Sequence, residues 1–305
     1  MEPSAETNQP AAKPAALALR RLLGCQPDQL PTLPVAAMEV MRLAKDPEAG
    51  IAPLVRVLRR DPPLAANLLK VANSPLYRTR QKVTDLERAV LVLGFKEVGN
   101  LVLGLSLLTG LGGAKALKRR LQRADIWRHS LAVATICEHL AQKQGLAGDG
   151  FYTLGLLHDL GKVALDAFRP REYTQVLERL ERERASFVGL EEDILRCDHG
   201  FLAENLLAYW DLPEFLVMAV GRHHRPWTAG GHEPLARLAM QADLISYQLG
   251  LGCLRQAAGG AYPDTLEPEA QAYVAAQGWD LAGLARELAA AGLVEAISGL
   301  GEGGE

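Results

Sequence analysis

A chain of 305 residues with 49% hydrophobic and 23% charged side chains can bury a substantial core and has the composition of an ordinary globular protein. Its net charge of −3 supplies no overall attraction to nucleic acid or to an anionic membrane, and the basic runs Arg56 to Arg60 and Lys115 to Arg123 read as solvated helix faces. Aromatic residues are only 6% while leucine and alanine dominate, which favours packed helices over sheet.

Residues 1–15 are rich in proline, alanine and polar side chains and read as a disordered tail, with no secretory leader. From Pro34 to Lys45 apolar residues recur at Val35, Met38, Met41 and Leu43, and the pattern stops at Asp46-Pro47, since a residue before proline avoids the helical region. Pro53 suits the first turn of a helix carrying Leu54, Val57 and Leu58. Asp61-Pro62-Pro63 opens another, with Leu64, Leu68, Leu69 and Val71, which ends near Asn73-Ser74-Pro75. Thr84 and Glu87 have capping-box spacing for the next helix, Gly94 punctuates it, and Val98 to Leu108 continues the pattern. The most apolar stretch, Val98 to Leu111, is too short to span a bilayer.

A long helix is expected from roughly Ala114 to Gln144, and the helical pattern continues to about Leu249. Residues 250–265 are glycine-rich and loop-like, Glu267 to Ile297 offers two amphipathic helices, and Gly299 to Glu305 reads as a frayed end. No alternating pattern of useful length appears, so the expected fold class is all-α. The expected organisation is a tail (1–15), one helical domain (16–249) with an N-terminal lobe (16–113) and a histidine-bearing lobe (114–249), then a loop and C-terminal helices (250–305). The four cysteines, Cys25, Cys137, Cys197 and Cys253, are scattered without a C-x-x-C pair, which speaks against a zinc ribbon or redox dithiol and fits a reducing, cytoplasmic setting.

Five of the seven histidines fall into an ordered pattern with two aspartates: His129, His158-Asp159, His199, His223-His224 and Asp243. Each has a plain structural explanation when taken alone. His129 shares an inward stripe with Val133, Ile136 and Leu140, and a histidine near a helix end, as at His223-His224, suits the helix dipole. Neighbouring His158 and Asp159 project about 100° apart on a helix, so both reach one centre only if the helix opens there, which Gly161 would permit. Asp198 can cap the helix that His199 begins, and Asp243 lies mid-helix on a small-residue face, where a carboxylate is costly unless paired or metal-bound.

Together these residues are a donor set for divalent metal. His129, His158, Asp159 and Asp243 would form a first centre, and His199, His223 and His224 a second, with Asp159 bridging. Mixed nitrogen and oxygen donors suit Mn, Fe, Zn or Ni, as one or two ions. Two ions about 3.5–4 Å apart would activate water and clamp a phosphate, with Asp159 and Lys162 as the catalytic residues. A metal-free polar network is the other reading.

Beyond the histidines, several segments carry a resemblance: Leu30-Pro31-Thr32-Leu33-Pro34, Arg60-Asp61-Pro62-Pro63-Leu64, Ala72-Asn73-Ser74-Pro75-Leu76-Tyr77, Ala89 to Gly94, Asp198-His199-Gly200, Tyr209 to Pro213 and His223-His224-Arg225-Pro226. In order and spacing these resemble the HDOD family, relatives of the HD-domain phosphohydrolases of bacterial signalling, over about Leu30 to Leu249. The resemblance implies an HDOD-specific helical lobe packed on an HD-like helical lobe. It also implies a regulatory role, through signalling partners or a small phosphate-containing ligand; the net charge argues against nucleic acid or membrane as partners. Many members lack part of the metal shell, whereas this chain keeps every HD-type position, so a metal-dependent phosphohydrolase acting on a nucleotide or other phosphoester is the alternative. Residues Arg225 to Gly231 hold no Gly-Tyr-Pro, and Gly260-Ala261-Tyr262-Pro263 lies far downstream, which disfavours cyclic-di-GMP hydrolysis.

Overall fold

The computed structural model describes residues 14–25, 35–44, 46, 48–73, 81–95, 97–99, 101–102, 123–146, 150–183, 185–253, 266–295 and 297. The expected terminal stretches 1–13 and 298–305, the Leu30 to Pro34 and Ser74 to Tyr77 segments, most of the Val98 to Leu111 stretch, residues 114–122 and the 254–265 loop lie outside the described residues. Regular structure among the described residues is helical throughout, as the composition predicts. No helix among them is long and apolar enough to cross a membrane.

The first helices are α1 (Pro14–Leu23), α2 (Val35–Ala44), α3 (Ile51–Arg59), α4 (Pro62–Ala72) and α5 (Leu86–Leu93). Asp61 caps α4 by accepting the Leu64 N–H at 3.1 Å, leaving Pro62 and Pro63 in the first turn, where a missing N–H costs nothing. At the other end Asn73 donates to the carbonyls of Leu69 and Val83 and accepts the Val83 N–H, each at 2.7 Å, so one side chain clamps the exit of α4 to the segment leading into α5. The cap of α5 is Asp85, accepting from the Arg88 N–H at 2.8 Å, rather than Thr84. A carboxylate one residue on caps the helix through the Arg88 N–H instead of that of Glu87, and Arg88 at the third position excludes a capping box.

The stripe expected on α2 also differs. Val35 is 74% exposed and Met38 48%, while Ala37, Val40 and Leu43 are buried; the Met41 side chain is not among those described. Apolar residues surround this ten-residue helix on more than one side, so periodicity alone could not choose a face, and small Ala37 permits the closer approach.

The histidine-bearing half continues through α6 (Arg123–Lys143), α7 (Phe151–Leu157), α8 (Leu160–Phe168), α9 (Pro170–Arg182), α10 (Phe187–Leu195), α11 (His199–Tyr209), α12 (Glu214–Gly221) and α13 (Glu233–Gln248), with α14 (Pro268–Gln277) and α15 (Leu281–Ala290) following. Two apolar cores result. One is built mainly from α2–α5 with α6, α13, α15 and one side of α7, and the other mainly from α1 and α7–α12, with Ala37 of α2, Ile126 of α6 and Ala236 and Ala239 of α13. Hence α1, though first in the chain, packs its Leu19 and Leu23 with the histidine lobe through α11. The helix α6 runs through the middle, packed on both α7 and α13.

Candidate metal centre

Three helix junctions and two helix interiors aim side chains at one buried point. Gly155 lets α7 cross α6 closely: a Cβ there would lie 2.5 Å from the Ala134 Cα, and this crossing sets His158 against His129. The chain then breaks between α7 and α8, with Asp159 in the sparsely populated bridge region (φ −96°, ψ 11°). The break allows adjacent His158 and Asp159 to converge. Gly161 serves a different purpose from the expected one. A Cβ at Gly161 would meet the His199 carbonyl oxygen at 1.9 Å, so its missing side chain admits the start of α11 rather than loosening α8. Asp198 caps α11, accepting the Phe201 N–H at 2.7 Å, and thereby fixes His199 in the first turn. His223 and His224 follow the end of α12, and Asp243 projects from the middle of α13.

The Nδ1 atoms face outward to fixed acceptors. His129 Nδ1 donates to the Leu251 carbonyl at 3.0 Å, His158 Nδ1 to that of Gly155 at 2.7 Å, and His223 Nδ1 to that of Val220 at 2.7 Å. His199 Nδ1 donates to Glu191 Oε2 at 2.6 Å, and the same oxygen accepts the His199 backbone N–H at 2.8 Å. With each Nδ1 so engaged, the Nε2 lone pairs turn inward, the orientation that outer carbonyls and carboxylates impose on metal-binding imidazoles.

Inside, donors of electron pairs crowd together. His129 Nε2 lies 3.1 Å from His158 Nε2, 3.1 Å from Asp243 Oδ1 and 3.3 Å from Asp159 Oδ2. His199 Nε2 lies 3.3 Å from Asp159 Oδ1 and 2.9 Å from His224 Nε2. His223 Nε2 is buried without a hydrogen-bond partner, and Asp159 Oδ1 and Asp243 Oδ1 have only the imidazole contacts just given. Such a cluster is costly to bury, and one or two divalent cations would satisfy it. Four overlapping triads have ligand atoms within 4.8 Å of one another: His129/His158/Asp243, His158/Asp159/His223, His199/His223/His224 and His129/Asp159/Cys253.

Without a cation, protons take its place. Burial works to lower the pKa of His129, but contacts with Asp159 and Asp243 outweigh it and hold the group well above its ordinary value. Burial likewise opposes protonation of His199, yet the Glu191 charge prevails and pushes it up to about 9. Burial and the neighbouring charges of His158 and His199 drive His223 down to about 3, and burial with His223 and His199 drives His224 well down. Although burial alone would raise Asp159, the charges of His158 and Lys162 hold it well below the usual range. Lys162 is itself buried, 2.9 Å from Asp159 Oδ2, with its ammonium 4.5 Å from the centre of the Phe187 ring.

All seven residues expected to bind metal, and Lys162 beside them, are thus brought together. Glu191 and Cys253 belong to the same cluster and were not expected there. Glu191 begins an acidic triplet, Glu191-Glu192-Asp193, a pattern shared with solvated helix faces, and Cys253 lies near the start of what reads as a glycine-rich loop. Half-buried His224 is the edge that meets the surface. Two clefts share His224 and Arg225, one of about 330 Å³ against Glu267 to Ala270 and one of about 210 Å³ beside Arg196 and Arg222.

The chain and its all-helical fold are similar to one class of proteins. The HDOD domain family model matches residues 30–226, and the chain belongs to that family. An uncharacterised protein of Treponema pallidum is 26% identical over 223 residues, covering 71% of this chain and 42% of that protein. The chain thus spans less than half the length of the curated relatives it matches. Among solved structures, an HDOD domain protein of Geobacter sulfurreducens is similar with a TM-score of 0.70 at 24% identity, covering 94% of this chain and 97% of that one. A Marinobacter aquaeolei protein provisionally named for signal transduction has a TM-score of 0.68 at 25% identity, over 94% of this chain and 66% of that one.

Proposed function

We propose that the chain is a regulatory HDOD module that acts by binding a signalling partner or a small phosphate-containing ligand. In this reading its His/Asp cluster holds one or two divalent transition-metal ions in a structural role. The observation that carries it is closure: His129, His158, Asp159, His199 and His223 have no exposed surface, Asp243 and Lys162 have 3% and 1%, and half-buried His224 alone of the set reaches the surface. Structural metal sites are saturated by protein ligands, whereas catalytic sites keep a position open to substrate. His129, His158, Asp159 and Asp243 would hold one ion, and His199, His223 and His224 the other, with Asp159 between them. Nitrogen and oxygen donors of this kind suit Mn, Fe, Zn or Ni. Bound metal would tie α6, α7, α8, α11, α12 and α13 at one point and replace the protons on His129 and His199.

A second reading, a metal-dependent phosphohydrolase acting on a nucleotide or other phosphoester, is favoured by the two clefts that meet at His224 and Arg225. Metal bound there would supply Lewis-acid chemistry toward water and phosphate. Asp159 would hold it and Lys162 would contact a phosphoryl oxygen, once Phe187 moved aside.

Metal content per chain, measured by inductively coupled plasma mass spectrometry beside an Asp159→Ala variant, tests the first reading. The expected result is one or two equivalents, lost in the variant, with no turnover of phosphodiester and nucleotide panels by the metal-loaded protein. Turnover abolished by Asp159→Ala would establish the second reading instead. Absence of metal from both proteins after loading would end the metal role altogether.

A further inference from the structure

We infer that Cys253 is a thiolate ligand of the first ion, giving that centre a sulfur donor beside its imidazoles and carboxylates. The inference rests on the metal reading above and adds a residue beyond the family match, which ends at 226. Cys253 Sγ, an Asp159 oxygen and a His129 nitrogen lie within 4.8 Å of one another. A point no farther than about 2.8 Å from every corner exists in any such triangle, and bonds of about 2.0–2.3 Å close it with shifts of about half an ångström.

The backbone delivers this sulfur by the same turn that orients His129. After α13 the Leu251 N–H donates to the Ser246 carbonyl at 2.9 Å, and the Leu251 carbonyl accepts from His129 Nδ1 at 3.0 Å. Two residues later Cys253 is 1% exposed, with the Tyr247 hydroxyl 3.4 Å from its sulfur and placed to donate to a thiolate. Cys137 and Cys197 are equally buried, yet among the described residues neither falls in a metal-sized group.

Charge argues the same way. Lys162 Nζ lies 2.9 Å from Asp159 Oδ2 and 3.7 Å from Cys253 Sγ. A divalent ion and the Lys162 ammonium carry three positive charges, and Asp159, Asp243 and a Cys253 thiolate carry three negative ones. Burial penalises an uncompensated charge, and the thiolate offsets the third positive charge at the first centre, where the remaining buried carboxylate, Glu191, is engaged on the outer side of His199. A thiolate is a soft donor, so its presence shifts preference toward Zn or Fe and away from Mn.

Loading the full chain with Co²⁺ reads the ligand directly. Wild type, Cys137→Ser and Cys197→Ser should show the near-ultraviolet sulfur-to-cobalt charge-transfer band, and Cys253→Ser should lose it while keeping the visible cobalt bands. X-ray absorption of the zinc-loaded wild type, which needs no variant to fold, should show a sulfur neighbour at about 2.3 Å. Cobalt bound with visible bands but no charge-transfer band, and only nitrogen and oxygen around zinc, overturns the inference and leaves the metal reading standing, with Cys253 a packing residue. Failure to bind either ion overturns both.

Discussion

Gly161 has no room for a side chain, because the His199 carbonyl would sit 1.9 Å from a Cβ and both flanking elements are pinned. Gly161→Ala is therefore expected to lower stability by about 1–3 kcal/mol and to reduce metal stoichiometry, read by urea denaturation and metal analysis. Gly231→Ala, with nothing within 4 Å, serves as the neutral control. Glu191 acts through charge. Burial alone would lower the pKa of His199, but Glu191 outweighs it and lifts the group from 6.5 to about 9, so at neutral pH an incoming ion must displace a proton. Below that pKa the imidazole is protonated and cannot coordinate, so affinity should rise with pH up to about 9 and binding at neutral pH should release protons. Glu191→Gln keeps the shape and removes the charge, flattening the dependence between 6.5 and about 9; titration calorimetry in buffers of differing ionisation enthalpy reads the released protons. An unchanged profile would show that Glu191 does not set this titration. The histidines were legible in the sequence because their order is itself a pattern. Glu191 was not, since its role depends on a neighbour eight positions on that only the fold makes adjacent.

At the scale of elements, local chemistry predicted several helix ends well. Asp61 and Asp198 cap α4 and α11 as their positions before the helical pattern suggest, and Asp198 also accepts from Arg225 Nη1 at 3.0 Å, tying α11 to the turn after His224. Thr84 and Asp85 both fit an N-cap, and local sequence could not rank them. Asn73 shows what spacing hides: two of its three side-chain bonds join residues ten apart, and only the third lies within its own helix. Replacing it leaves the Val83 N–H and carbonyl unpaired, so Asn73→Ala should lower stability by about 1–3 kcal/mol. Chemical denaturation checks this. Metal stoichiometry should be unchanged, because the clamp ties α4 to the segment before α5 and bonds to none of the ligand-bearing helices, and a loss of metal would show that the two are coupled.

Across the whole molecule, α6 joins the two cores. Its Leu131, Val133, Ile136 and Leu140 belong to one, its Ile126 to the other, and it carries His129 between them. Far-ultraviolet circular dichroism and tryptophan fluorescence should therefore report one coincident unfolding transition; two separated transitions would show lobes that fold independently. Metal binds the folded state by drawing together five regions of the chain, so chelation should lower Tm and added metal should raise it in a concentration-dependent way. In Asp159→Ala that difference should vanish.

By itself the sequence determined the all-helical class, most helix ends, the family and the members of the His/Asp set, because composition, caps and motif order are local properties. Only the tertiary structure decided which face of α2 is buried, that α1 packs with the histidine lobe, why Gly161 is a glycine, and that Glu191 and Cys253 surround the same point. Each of these depends on close approach between segments distant along the chain, and periodicity carries no record of which segments will meet.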